Sequence, residues 1–222
     1  MRALLSAAAL CAALTLPLAA QQGGQTHSHD DPDHPAAGGG SVPAGWSVRA
    51  DKGDASGAKV VNMGKGLHVT TGPALILYRA DTRGTGPFHT LATFTQTRPS
   101  AHPEGYGLFF GGQGLDGKDQ RYTYFLIRQD GSYLIKRREG DQTADITRGW
   151  VQHAAIKKPD AKGSATNLLE VDHKRDAGKF TFLVNGQEVY ATDAKSLNPD
   201  GEVGLRVNHN LDVHIEGFDV HR

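Results

Sequence analysis

The sequence predicts an all-β protein, an antiparallel sandwich of two sheets. Three observations carry that expectation. Short runs rich in Val, Ile, Phe, Tyr and Thr recur from residue 46 onward. Asp-Gly and Asn-Gly pairs separate several of them, which are the turn signals of tight hairpins. No stretch after residue 46 combines helical periodicity with helical length, and the 28 glycines make turns abundant.

Taken in order, "SVRAD" is a first short strand, followed by a polar turn, and "KGLHVTTG" leads into "PALILYRA". "FHTLATFTQ" is rich in the Phe and Thr that fit a pleated surface, and "YGLFFGG" is a Gly-bounded apolar run of central-strand type. "RYTYFLIRQDGSYLIKRREG" is a hairpin turning at Asp130-Gly131. In "NLLEVDHKRDAGKFTFLVNGQEVYATD" two more turns follow, the second at Asn185-Gly186, where both residues accept the positive φ of a type I′ turn. "EVGLRV" and "LDVHIEGFDVH" close the chain as an expected last pair.

In front of these strands lie two segments of different character. Residues 1–20 have the pattern of a secretory signal peptide: Arg2, the apolar run "ALLSAAALCAALTL", and "PLAA" before Gln21. Residues 21–45, "QQGGQTHSHDDPDHPAAGGGSVPAG", are dominated by Gly, Pro, Asp and His, and bury too little to offset the entropy of ordering them. They read as a flexible leader, dispensable for a single domain spanning 46–222. Order is expected to begin at Trp46, whose ring, sharing parity with Val48, closes the core on that side.

Removing residues 1–20 takes one basic residue, Arg2, from a balance of 24 basic and 24 acidic, leaving a formal charge of −1. That gives no electrostatic footprint for nucleic acid. The single cysteine, Cys11, lies in the signal segment, so disulfides and thiolate chemistry drop out of the mature chain. No later apolar run reaches the length that spans a bilayer. A periplasmic or secreted location is expected, with no stable membrane insertion.

The densest group of chemistry-bearing residues is "VNHNLDVHIE" (207–216). Leu205, Val207, Leu211, Val213 and Ile215 share one parity, assigned to the core. A loop at Asn208-His209-Asn210 would pair Val207 with Leu211 and set Arg206 opposite Asp212 on the outer face. His214 then stands about 6–7 Å from Asp212 and from Glu216, which is long for a direct hydrogen bond. A zinc site needs three or four converging ligands. His209 and His214 are therefore weak metal candidates, and the row reads first as a solvated strand face.

Asp116 and Asp119, with Gln120, stand in the loop "GGQGLDGKDQ" and are the oxygen ligands a calcium ion would use, without the spacing of an EF-hand. No cofactor is otherwise expected. Tyr106, Tyr122, Tyr124, Arg128, Lys136, Arg137 and Trp150 could line one concave face, with rings stacking on a sugar and the long polar groups bonding to it. Tyr122, Tyr124 and Arg128 share strand parity. The alternative is that several of these rings belong to the core. No two carboxylates are singled out as the flanking pair of a glycosidase, and neither GxSxG nor HExxH occurs.

"WSVRAD", "YGLFFGG", "YTYFLIRQDGSYLIKR", "WVQHAAIK", "NLLEV", "FTFLVNGQEVY" and "GEVGLRV" succeed one another in an order that resembles the concanavalin A-like (laminin-G-like) jelly-roll superfamily. Within it, the chain resembles the bacterial exported domains called 3-keto-disaccharide hydrolase or domain of unknown function 1080. The likeness spans about residues 46–220 and is sharpest in "FLVNGQEVY" and "GEVGLRV". It implies a jelly-roll sandwich with a concave face that often holds carbohydrate. Laminarinase-like members carry a Glu-x-Asp-x-Glu strand motif, which this chain lacks. Three functions follow as expectations: a glycan-associated sandwich without catalytic machinery, whose partner is an oligosaccharide or cell-surface glycan; a hydrolase of glycosides or 3-keto-glycosides; or a structural module with a protein partner.

Overall fold

A computed structural model describes residues 31–222. The segment read as a signal peptide, Cys11, and the residues of the expected leader up to Asp30 lie outside the described residues. From Ser47 onward the chain folds into two antiparallel sheets, as its strand–turn pattern predicts.

The first sheet has eight strands. Seven run in the order β1 (Ser47–Ala50), β4 (Leu75–Gly84), β14 (Gly201–Val207), β6 (Gly105–Gln113), β7 (Arg121–Arg128), β8 (Ser132–Glu139) and β10 (Val151–Gln152), with β9 (Gln142–Asp145) also paired to β8. The second has seven, ordered β13 (Gln187–Asp193), β12 (Lys179–Val184), β11 (Ala165–Asp172), β5 (His89–Gln96), β15 (Asp212–His221), β3 (Gly66–Thr70) and β2 (Lys59–Met63). One 3₁₀ turn, Ala194–Ser196, precedes β14.

The hairpins read from the sequence are present. β7 and β8 pair from Arg128↔Ser132 outward, with Gly131 at φ +87° in the turn. Val184 pairs with Gln187 across Asn185 (φ +52°) and Gly186 (φ +77°), the two positive φ values a type I′ turn requires.

Alternate residues of each strand meet between the sheets. Phe94, Phe110, Phe125, Phe180 and Phe182 are fully buried there, and Phe110 stacks on Phe180 with centroids 5.0 Å apart. Trp46 packs against the margin of this core, as does Val48, but its ring is not fully enclosed. It is half-buried, with its centroid 5.8 Å from Phe218. Phe218 reaches it because Gly217, at φ +62°, inserts a bulge into β15 between Glu216 and Asp219. The extra residue reverses the inward parity of the strand beyond it.

One pairing differs from the expectation. Leu205, Val207, Leu211, Val213 and Ile215 all face the core, each 2% exposed or less. Yet β14 and β15 are not partners: β14 lies between β4 and β6, and β15 between β3 and β5. Residues 208–211 cross from one sheet to the other. Parity fixes which side faces the core, and both sheets share that core, so the pattern is the same for a hairpin and for a crossing.

Residues 31–45 contain no strand but are joined to the sandwich. Ala36 N–H donates to the Gly57 carbonyl at 2.8 Å and Gly40 N–H to Ala58 at 2.9 Å. Asn210 Nδ2 donates to Asp31 and to the Pro32 carbonyl, both at 3.0 Å, and its Oδ1 accepts from His34 N–H at 2.7 Å. Such bonds, made by backbone groups and the Asn210 side chain, leave no apolar signature in the sequence.

Candidate functional site

The outer face of the eight-stranded sheet carries a second, smaller cluster: Ile76, Phe109, Leu115, Tyr122, Tyr124 and Leu126, with Tyr78 and Trp150 packed against it. Strand alternation puts it there, since Phe125 and Ile127 point the other way into the main core. Cross-strand pairing sets Tyr122 beside Arg138 and Tyr124 beside Lys136. The rings touch in series, Phe109–Tyr122 at 5.2 Å and Tyr122–Tyr124 at 5.8 Å.

Into this layer the sequence inserts charge. Arg206 donates from Nη1 to Asp51 Oδ1 at 3.0 Å and from Nη2 to Oδ2 at 2.7 Å, a bidentate pair. Arg138 Nη1 binds the same Oδ2 at 2.9 Å. Arg206 Nη1 also donates to the Tyr122 hydroxyl at 2.9 Å, and its guanidinium lies 4.8 Å over the Tyr124 ring. Both arginines are buried. Burial works against ionisation of Asp51, but the charges and hydrogen bonds of Arg206 and Arg138 outweigh it and hold the carboxyl at about 2. Burial likewise pushes the Tyr122 and Tyr124 hydroxyls up, so they stay neutral and can donate hydrogen bonds.

The rim is more open. Lys136 Nζ meets Asp145 Oδ1 at 3.0 Å. Arg128 lies 4.3 Å from the Trp150 ring centroid and is anchored by Asp130 at 2.7 Å. Trp150 lies this close because residue 105 is glycine; a Cβ there would stand 2.7 Å from its Cη2. Arg49 Nη1 donates to the carbonyls of Leu115 and Gly117 at 2.6 and 2.5 Å, so a guanidinium takes oxygens of the loop considered for calcium. Asp116 and Asp119 in that loop are exposed.

Of the expected carbohydrate-facing residues, the structure brings Tyr122, Tyr124, Arg128, Lys136 and Trp150 onto one face, but Tyr122 and Tyr124 are buried in its cluster at 2% and 5% exposure, so only Arg128, Lys136 and Trp150 reach the surface. Tyr106 is corrected. It is 1% exposed in the main core against Phe94, because it shares parity with Leu108 and Phe110. Arg137 is exposed, alternating away from Lys136 and Arg138. Asp51, Arg138 and Arg206 form a group that no local sequence pattern marks, because its members lie far apart in the chain. Arg206 between Leu205 and Val207 was a visible signal, but its expected partner was Asp212, on what is in fact the opposite sheet.

Asp212 is held instead by His68 at 3.1 Å and Arg98 at 3.5 Å, with Thr97 also bonded to it. His214 lies opposite His68 on the neighbouring strand, their rings 6.2 Å apart. Its Nε2 reaches Glu216 at 3.4 Å, closer than the backbone spacing implied, because both side chains lean along the strand. Among the described residues, no three His, Cys, Asp or Glu side chains converge to hold a metal ion.

His209 stands apart from this row, in the crossing loop, between Glu104 (Nε2–Oε1 2.8 Å) and Asp33 (Nδ1–Oδ1 3.3 Å). The hydrogen bond to Glu104, more than burial opposes it, raises its pKa above the ordinary imidazole value. A raised folded-state pKa stabilises the fold fully below the unfolded value of about 6.5, and that contribution is lost as pH rises through the folded value. The melting-temperature difference between the wild type and His209→Ala should accordingly be greatest near pH 6, on the order of 3 °C. It should shrink steadily toward pH 9. A difference that stays constant across thermal melts in that range would show that the imidazolium is not what holds the loop.

No protein-family model matches the sequence, and no curated protein matches it in sequence. Solved structures do match in shape. The carbohydrate binding module CBM66 from Bacillus subtilis superposes with a TM-score of 0.59 at 13% identity, over 80% of this chain and 96% of that one. The carbohydrate recognition domain of Emp46p, in its metal-free form, gives 0.53 at 13% identity, over 80% and 88%. At such identity the likeness establishes the fold alone: this chain is an antiparallel two-sheet β-sandwich of jelly-roll type.

Proposed function

We propose that this chain is an exported module that binds an oligosaccharide or cell-surface glycan without turning it over, through the outer face of its eight-stranded sheet. The observation that carries this reading is the clamp of Arg206 and Arg138 on Asp51 beneath Tyr122 and Tyr124, bordered by Trp150, Arg128 and Lys136. The clamp stiffens the face from below, while at its surface the half-buried Trp150 indole stands beside the Arg128 guanidinium, held by Asp130, and the Lys136 ammonium, held by Asp145, a ring with fixed polar groups around it of the kind that orients a sugar. The shape likeness to a carbohydrate binding module and to a carbohydrate recognition domain supports it.

Hydrolysis of glycosides or 3-keto-glycosides, the activity implied by the narrower family resemblance, has less support here. A general acid must hold a proton near working pH. Asp51, held at about 2 by two arginines, is a fixed anion. The rim carboxylates Asp145 and Asp130 are bound by Lys136 and Arg128.

A glycan array probed with the full chain tests the reading, with Trp150→Ala and Lys136→Ala as companions. At least one glycan should be retained, with affinity at least about tenfold lower in each variant, the loss of one good contact; the melting temperature should change little in Lys136→Ala, and Trp150→Ala, whose ring packs on the outer-face cluster, should keep the wild-type β signal. Retention of no glycan, or binding indifferent to both substitutions, would overturn it.

A further inference from the structure

We propose that the open edge of the sandwich beside Trp46 is a second, separate binding site, taking a single sugar ring. It stands independently of the outer-face reading. A groove of about 360 Å³ lies here, lined by Trp46, Phe218, Asn62, Lys65 and Arg79 with glycines at 64, 66 and 217, and floored by core residues such as Leu205 and Ile215. Its position follows from the strand order: β1 and β2 are edge strands of the two sheets, so among the described residues no further strand covers this side.

Its chemistry is that of sugar recognition. Trp46 and Phe218 are half-buried rings 5.8 Å apart, tilted at 43° to each other, and offer apolar surface at the groove wall. Sugars present C–H faces to such rings and hydroxyls to the polar groups around them. The polar groups are present: Asn62 and Lys65 are exposed at the β2–β3 turn. Arg79 is fixed by Asp81 through Nε at 2.8 Å, with its guanidinium 5.8 Å from the Trp46 centroid. Gly64 and Gly217 would meet nothing within 4 Å if given a Cβ, so a ligand can come close to the backbone at both. A groove for an apolar peptide would need a longer, drier floor than this one. Here charged and amide groups share the wall with the rings.

The chain has two tryptophans, so Trp150→Phe leaves Trp46 as the only indole. In that full-length variant, Trp46 fluorescence is titrated with the methyl glycosides of glucose, galactose, mannose and fructose to about 50 mM, a range that reaches the weak affinity of a single ring. The expected result is a saturable change with at least one of them. That change should be lost when Asn62→Ala and Lys65→Ala are added, at unchanged melting temperature. No saturable change with any probe, or one that survives the rim substitutions, would overturn the proposal. An emission shift that depends only on protein concentration would mean that a second copy fills the groove, and would overturn it equally. The readout is separable from the outer-face reading, whose Trp150 is already removed.

Discussion

Asp51→Ala should lower the unfolding free energy by about 3–5 kcal/mol, the effect of leaving buried cations without their counter-ion. Two guanidinium groups, both in a layer closed by Tyr122 and Tyr124, depend on this one carboxylate. Urea denaturation at pH 7 reads the loss. Its pH dependence has a definite sign. The folded-state pKa of Asp51 is lowered from 3.8 to about 2. Its stabilising contribution is therefore complete above about 4 and is lost as pH falls through 2, and this linkage accounts for roughly 2 kcal/mol. The gap between wild type and variant should narrow over that window. A variant within about 1 kcal/mol of wild type at pH 7 would mean that the arginines find water or other acceptors. Replacing Asp51, Arg138 and Arg206 together by apolar residues should be much milder than Asp51→Ala alone, since removing all the charges leaves none stranded.

Val213→Asp should abolish the folded state. Val213 is fully buried between the sheets, on a strand flanked on both sides by β3 and β5. A carboxylate there has no partner, and stranding it costs several kcal/mol on top of the lost packing. Domains have only about 5–15 kcal/mol to lose. Circular dichroism of the purified variant should lack the wild-type β signal, or melt at least ~15 °C lower. His214→Asp, one residue along on the outer face, is the control and should keep the fold. A native-like Val213→Asp melt would contradict the placement of β15.

The two-sheet architecture was legible in the sequence because its signals are local. Alternation along "LRV" and "LDVHI" marks the buried side, and Asp130-Gly131 and Asn185-Gly186 mark turns. What was not legible is which sheet a strand joins, since that depends on partners far away in the chain. Arg206 shows the consequence. Its outward direction followed from parity, but its partner, Asp51, is 155 residues away. Tyr106 was grouped with Tyr122 and Tyr124 by chemical type alone, and its own alternation with Leu108 and Phe110 would have placed it in the core. Phe218 needed the bulge at Gly217, which period-two counting cannot anticipate.

The crossing at residues 208–211 also bears on the order of folding. β14 and β15 are synthesised after every other strand, yet each lies inside its sheet rather than at an edge. Until residues 201–221 have left the ribosome, β4 and β6 have no common neighbour, nor do β3 and β5. A nascent chain lacking them therefore holds four partial sheets with open edges, two from each sheet, which favours folding only after these residues have emerged. The contacts that then form span long loops, which makes the search slow. A chain in that condition stays threadable for longer than one built from consecutive hairpins.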